Sequence, residues 1–582
     1  VSIGFRLNPN VDAKTHKNIS TGKAENKFGL SIRSFKIFFK TINSLKNIKL
    51  DALSVHIGSQ ILNDTPFRKT LSVMSKLIKE LRLNLNYVDS VDTEKIFNAS
   101  VKALLQNLDP YTIFVSEKEV EDFEVLTRGA YGGIGVAIHQ FEKRVVVSNV
   151  YSGFTAHKAG MKIGDVFLKI DSISVVGKTS SEVSDILKDM PGKPLTVSMQ
   201  RPGIEGPIEL NLIRETIKIK NVPYYGVLKD NIGYIILTGF TENAAKEFRN
   251  AFQDLKKNHK IESLILDLRG NGGGIINEAA DILSLFIPRN TEVVKTKGKI
   301  KEQNLSYKTR LSPIDKKIPI VVLVDNSSAS SSEIVAGALQ DLDRAVIMGQ
   351  RTFGKGLVQH IKDMQYNTKV KLTVAKYYIP SGRCIQEIDY KSKNVTADST
   401  KVYLTKGGRE VKGGKGIAPD ITTKKLSLSN VGANLYARLL IFNFVTEHYK
   451  NTESIGSIKD FEVTEEIYKA FLNYIEDKDF TYTTESERSL KRFKKHAEKE
   501  KYFEAVKAHL EELEKAMKAD KDADLLKHSD EIKKLLFHEI VSRYYLDEGR
   551  IQASLKDDPA TLEAIKLLLD TEKYQEILQA KN

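Results

Sequence analysis

Residues Ile318–Gln359 read IPIVVLVDNSSASSSEIVAGALQDLDRAVIMGQRTFGKGLVQ. The apolar run Ile318–Val324 has the length of a strand and no polar alternation, the pattern of a strand buried on both faces. A serine-rich turn follows, then the helical pattern SSEIVAGALQDL, a second apolar run AVIMG, and Gly354-Lys355-Gly356. Buried strands joined through a helix define an α/β unit. Outward from it the same alternation recurs: strand IGYIILTGF before helix ENAAKEFRNAFQDLKK, and strand SLILDLRGNGGG before helix IINEAADILSLFI. Residues 204–425 are expected to form an α/β core on a mixed sheet, finished by a β-rich tail that contains VKLTVAKYYIPSGRCIQ.

The stretch also has the parts of a nucleophilic site. A serine hydroxyl attacks when a base lies within reach and N–H donors wait where the oxyanion forms. Lysine is such a base once burial keeps its amine neutral. Lys355 sits between Gly354 and Gly356 and beside Phe353 and Leu357, which suits a poorly hydrated amine. Ser330 stands where a helix begins, and the first N–H groups of a helix have no internal partner. Ser331 N–H is one candidate oxyanion donor, and the loop Leu268–Gly274, with Gly272 and Gly273, is the source of a second. Residue type alone leaves Ser327, Ser328, Ser331 and Ser332 equally available, and Ser330-x-x-Glu333 is a capping box that explains a serine without chemistry. Gly349–Lys355 fits G-x4-G-K, but Gly356 stands where a phosphate loop needs Ser or Thr, which argues against nucleotide binding.

A chain of 582 residues is expected to form several domains. One cysteine, Cys384, excludes an internal disulfide, and no Cys/His cluster has metal-ligand spacing, so neither a structural zinc nor a cysteine framework is expected. No apolar run approaches the roughly 20 residues of a membrane span. The net charge is +14, but residues 1–83 hold 15 Lys/Arg against 5 Asp/Glu, so ten of those charges lie there and four in the rest; a nucleic-acid partner is not expected. Residues 426–582 turn helical and highly charged. Val1 opens a strand-like sequence without the regions of an export signal, as if the natural start were missing or replaced.

Residues 129–203 alternate strands with tight turns and resemble a PDZ domain. Gly133-Ile134-Gly135-Val136 stands at that family's carboxylate-binding loop and Ala159–Asp165 at its helix-to-strand turn. A glycine turn with free N–H groups beside a strand edge suits capture of a chain end.

About residues 84–582 resemble the carboxyl-terminal processing, or tail-specific, serine proteases. Tyr87-Val88-Asp89 and Leu108-Asp109-Pro110-Tyr111 match their N-terminal helical segment, here 84–128. Ser328-Ala329-Ser330-Ser331-Ser332-Glu333-Ile334 matches S-A-S-x-S-E-I, and Phe353–Gln359 matches F-G-K-G-x-x-Q. The resemblance implies Ser330 as nucleophile, Lys355 as base, Gln359 as its orienting partner and Asp341 as an accessory. It further implies an endopeptidase that binds protein C-termini through its PDZ domain, works by an acyl-enzyme without cofactor or metal, and is exported to the periplasm or the outer face of the inner membrane; a homo-oligomer is compatible with it. A catalytically silent peptide-binding scaffold is the alternative reading.

Residues 1–83 resemble a piece of diaminopimelate decarboxylase, a pyridoxal-phosphate enzyme with a (β/α)8 barrel, through Asn8–Asp12, His16, Ser20–Gly22, Asn26–Gly29 and His56–Gln60. In that family His56 and Ser59 would lie at the cofactor. The Schiff-base lysine, the phosphate loop and the C-terminal β-domain have no counterpart here, so the expectation is a partial barrel fragment without decarboxylase activity, joined between about residues 75 and 84.

Overall fold

The computed structural model describes residues 2–10, 30–35, 37, 49–55, 65–84, 93–390, 394–395, 401–424, 427–450, 452–478 and 480–580. His16, His56, Ser59 and the Tyr87-Val88-Asp89 motif lie outside the described residues.

The core sheet runs in the order Tyr224–Val227, Ile232–Ile236, Ser263–Asp267, Ile320–Val324, Val346–Gly349, Ile421–Thr422, with the first pair antiparallel and the others parallel. Side chains alternate across a strand. Ile320, Val322 and Val324 therefore face helices Ala244–Lys257, Ile276–Leu283 and Ser331–Asp341, where Phe248, Phe252 and Phe286 fill the largest buried cluster. Val321 and Leu323 face the other way, against Ala564, Leu567, Leu568 and Tyr574 of the two terminal helices, Pro559–Leu569 and Thr571–Leu578. The C-terminal region is thus not one separate helical unit from 426 onward. Helices from Asn430 to about Ser554 have a cluster of their own around Phe444, Phe471 and Leu536, whereas the last two close the second face of the core sheet.

A second sheet, Ser306–Lys308, Glu292–Gly298, Lys369–Tyr378, Leu357–Asp363, adjoins the core, and Ile113–Val115 from the N-terminal helical segment pairs with Lys369–Lys371. The PDZ-like sheet runs Pro207–Ile213, Pro194–Gln200, Val166–Ile170, Arg144–Val150, Val136–Phe141. It extends past the boundary expected at residue 203, because the glycine-rich stretch after Arg201 turns a hairpin between Pro194–Gln200 and Pro207–Ile213 and does not end the domain. A short ladder, Ala130–Gly133 with Glu215–Lys218, is the stem that returns the chain to the core.

At the N-terminus three parallel strands, Leu30–Ser31, Ser2–Asn8 and Lys49–Val55, pack with helix Thr65–Asn84 around Leu7, Phe35, Val55, Met74 and Leu77. Leu104 of helix Thr93–Gln106 joins this cluster, so the fragment is seated on the protease-like part.

Candidate active site

Three loops leave the C-terminal ends of neighbouring parallel strands: Leu268–Gly274, Asp325–Ser330 and Gln350–Gly356. In a parallel sheet these ends share one edge, so the loops converge there. Lys355 leads into a strand, Leu357–Asp363, and not into a helix, which removes the helix N-terminus that a phosphate loop requires.

The five serines differ in their partners. Ser328 Oγ donates to the Leu268 carbonyl at 2.8 Å, Ser331 Oγ to Gly274 at 2.9 Å and Ser332 Oγ to Asn271 at 2.9 Å. Each fastens the serine turn to the glycine loop. Ser327 is exposed. Ser330 is half-buried and its hydroxyl makes no hydrogen bond among the described residues. The expected capping box is only half formed: Glu333 accepts the Ser330 N–H at 2.9 Å, but Ser330 Oγ does not cap Glu333 N–H. Ser330 has φ 56 and ψ −113, a conformation that strains any side-chain-bearing residue. This turn is what lifts its hydroxyl out of the capping position.

Glu333 is the hub of the site. It is fully buried, and its Oε2 accepts the N–H groups of Ser330 and Lys355, each at 2.9 Å. Its Oε1 accepts Gly354 N–H at 2.7 Å and Thr352 Oγ at 2.6 Å. Thr352 Oγ takes the Ile417 N–H and so must donate its own proton to Glu333. Burial pushes this carboxyl up, against the four donors that favour its ionised form. Four donors and no acceptor fit the carboxylate. Tyr377 adds a second clamp, its Oη lying 2.5 Å from the Lys355 carbonyl and 3.1 Å from that of Ser330. The sequence signalled Glu333 only as a capping residue and gave no signal for Tyr377, which arrives from the second sheet.

Lys355 Nζ lies 4.7 Å from the centroid of the Tyr111 ring. Burial first, and then the Lys371 ammonium, bring its pKa down from 10.5 to about 8, while Glu333 and Asp109 pull the other way. Lys371 is itself lowered by burial. Gln359 makes no hydrogen bond to the lysine among the described residues: its amide points to Thr373 Oγ at 3.5 Å, and Thr373 Oγ donates to Asp109 at 3.0 Å. Asp109 in turn accepts the N–H groups of Tyr111 and Thr112, so the Asp-Pro-Tyr turn is held beside the amine through this chain. Asp341 closes the far end of the 11-residue helix Ser331–Asp341, about 16 Å along it from Ser330. There it pairs with buried Arg383 at 2.8 Å and accepts Ser381 N–H, a structural ion pair away from the chemistry.

Of the oxyanion candidates, Ser331 N–H and Gly272 N–H make no hydrogen bond among the described residues. Gly273 N–H is already donated to Asn271 Oδ1 at 2.9 Å, so it is withdrawn from that role. Its place is steric: a Cβ at Gly273, whose φ is 95, would meet Ala329 O at 2.6 Å and Ser331 N at 2.8 Å. Only glycine lets the loop approach this closely. The loop is anchored from behind by Arg269, which pairs with Asp267 at 2.6 Å and with Asp558, the N-cap of helix Pro559–Leu569, at 2.8 Å.

In the PDZ-like domain, Val136–Phe141 is the free edge of its sheet, and helix Ser180–Leu187 packs beside it. Gly135, with φ 82, turns the chain into this edge, where a Cβ would strike Phe154 at 2.5 Å. Ile134 is buried, while its N–H and that of Gly135 make no hydrogen bond among the described residues. The groove fits an extended strand ending in a carboxylate. Among the described residues no cluster of His, Cys, Asp or Glu could hold a metal ion, and no helix is long and apolar enough to cross a membrane.

A PDZ-like sheet is thus joined to an α/β core whose loops bring the backbones of Ser330 and Lys355 to one Glu333 carboxylate. Comparison with known proteins gives the family. The profile for Peptidase family S41 matches residues 231–399, that for PDZ domain residues 132–212, and that for Probable PDZ-protease, C-terminal helical domain, residues 431–568. The Carboxy-terminal-processing protease of Bartonella bacilliformis is 34% identical over 310 residues, 53% of this chain and 71% of that protein. Carboxy-terminal processing protease CtpA of Bacillus subtilis is 31% identical over 360 residues, 61% of this chain and 76% of that one. Among solved structures, the photosystem II D1 C-terminal processing protease is 27% identical, covering 61% of this chain and 88% of that one with a TM-score of 0.33. The chain belongs to the carboxy-terminal processing proteases of family S41, serine-type endopeptidases with a PDZ domain. Residues 1–89 match the pyridoxal binding domain of pyridoxal-dependent decarboxylases.

Proposed function

We propose that this protease cleaves by a Ser330/Lys355 dyad and selects its substrates by their C-terminal ends. The observation that carries the reading is the Glu333 carboxylate, one oxygen of which holds the backbones of both residues. Neutral Lys355 takes the proton of Ser330 Oγ as that oxygen attacks the scissile carbonyl carbon. The oxyanion is received by the N–H groups of Ser331 and Gly272. On collapse, the C–N bond breaks and the Lys355 ammonium returns its proton to the leaving amine. Water, deprotonated by the same amine, then releases the acyl group from Ser330.

The substrate's terminal carboxylate is assigned to the N–H groups of Ile134 and Gly135, with its last residues paired along Val136–Phe141. The same reading puts the protein outside the cytoplasm, in the periplasm or at the outer face of the inner membrane. Cleavage of one peptide, with a free or an amidated C-terminus, by wild type, Ser330→Ala and Lys355→Ala tests it. Loss of turnover in both variants and a raised KM for the amide are expected; full activity in either variant would sink the assignment, and indifference to amidation would remove the role of the PDZ domain.

A further inference from the structure

The hairpin of strands Glu292–Gly298 and Ser306–Lys308 has two unlike faces. Val293, Val294 and Thr296 are buried against helices Ile276–Leu283 and Ser331–Asp341. The outer face is basic. Lys295, Lys297 and Lys308 are exposed on its strands, Lys299 and Lys301 at its tip, and the register sets Lys297 directly opposite Lys376 of the neighbouring strand. None of these six makes an ion pair among the described residues. Glu292 and Glu302 are the acidic groups of the hairpin, and Glu292 accepts the Ser306 hydroxyl. Lys297 Nζ lies 4.7 Å from the centroid of the Tyr378 ring, while like charges directly opposite one another, as at Lys297 and Lys376, weaken a ladder.

The tip adds a second, different observation. Ile300 is 54% and Leu305 43% exposed, two aliphatic side chains left in water at the hairpin end that carries Lys299 and Lys301, with Leu305 on the Thr296 side of the ladder. A soluble polyanion would engage the lysines and leave both aliphatics hydrated. An anionic bilayer satisfies both chemistries, since headgroups attract the cations while the aliphatics enter the acyl boundary.

We propose that this hairpin docks the protein on an anionic membrane surface, Ile300 and Leu305 inserted and the six lysines on the headgroups. The inference is independent of the catalytic reading. Because the hairpin's inner face lies on the helix that begins at Ser331, docking fixes the catalytic edge relative to the bilayer.

The test is flotation of the full chain with vesicles of phosphatidylcholine, with and without phosphatidylglycerol. Wild type is expected to float with the anionic vesicles only, and less so as salt rises. Lys295→Glu/Lys297→Glu/Lys299→Glu should lose on the order of tenfold or more in vesicle affinity. Ile300→Ser/Leu305→Ser should keep a weaker attachment that salt abolishes. Unchanged cleavage of a soluble peptide by both variants shows that they are folded. The proposal is overturned if wild type ignores anionic vesicles, if either variant floats as wild type does, or if soluble polyglutamate binds the face more tightly than the vesicles do.

Discussion

Lys355 donates its backbone N–H to the Glu333 carboxylate at 2.9 Å, on the same oxygen that takes the N–H of Ser330. One buried anion therefore sets the distance between the two candidate dyad loops. Glu333→Gln keeps the shape but turns an NH2 toward two of the four donors. Each buried donor left unpaired costs about 1–3 kcal/mol, so a loss of roughly 2–5 kcal/mol in urea denaturation is expected, together with a fall of kcat/KM by at least about a hundredfold. A variant as stable and active as wild type would remove Glu333 from this role.

With Lys355 as base, activity requires its neutral amine. Its pKa of about 8 predicts a kcat/KM that is low at neutral pH and rises with pH through that value. Lys355→Arg, which stays charged, should be inactive at every pH.

Lys371 helps to lower the Lys355 amine, so its removal should let that amine bind its proton more tightly. Lys371→Met is expected to move the acid limb of the pH profile to higher pH and to leave the plateau at high pH nearly unchanged. A limb that stays in place contradicts the coupling.

Backbone strain at Ser330 makes a prediction that activity cannot test. Glycine adopts φ 56 freely, whereas alanine keeps the strain. Ser330→Gly and Ser330→Ala should both be inactive, with the glycine variant the more stable by about 1 kcal/mol in denaturant titration.

Asp558 caps helix Pro559–Leu569 and holds Arg269, the residue behind the glycine loop. Asp558→Ala should cost about 2–3 kcal/mol in stability through the lost cap and the weakened ion pair. It should also lower kcat, because the loop that carries Gly272 loses its rear anchor, with KM little changed.

Much of this was legible in the chain because the core strands are uninterrupted apolar runs such as Ile320–Val324 and their loops carry glycine and serine. Resemblance alone singles out Ser330, since the serine turn holds five hydroxyls. What separates them physically is the set of carbonyls at Leu268, Asn271 and Gly274, some 60 residues earlier in the chain. Tyr377, and the Arg269–Asp558 pair that spans 289 residues, had no local signal. Nor did the terminal helices: an amphipathic stripe reveals that a face is buried without naming the sheet it covers. Asp341 and Gln359 show the converse, since motif position suggested chemistry where the side chains are engaged with Arg383 and Thr373.

The central claim is that Ser330 forms the acyl-enzyme with neutral Lys355 as its base. Rapid-quench mass spectrometry on enzyme mixed with an ester of a C-terminal peptide tests it most directly. The account predicts an acyl adduct on Ser330 whose rate of formation climbs through pH about 8 and disappears in Lys355→Met. An adduct on another residue, or one that forms at the wild-type rate without Lys355, would contradict it.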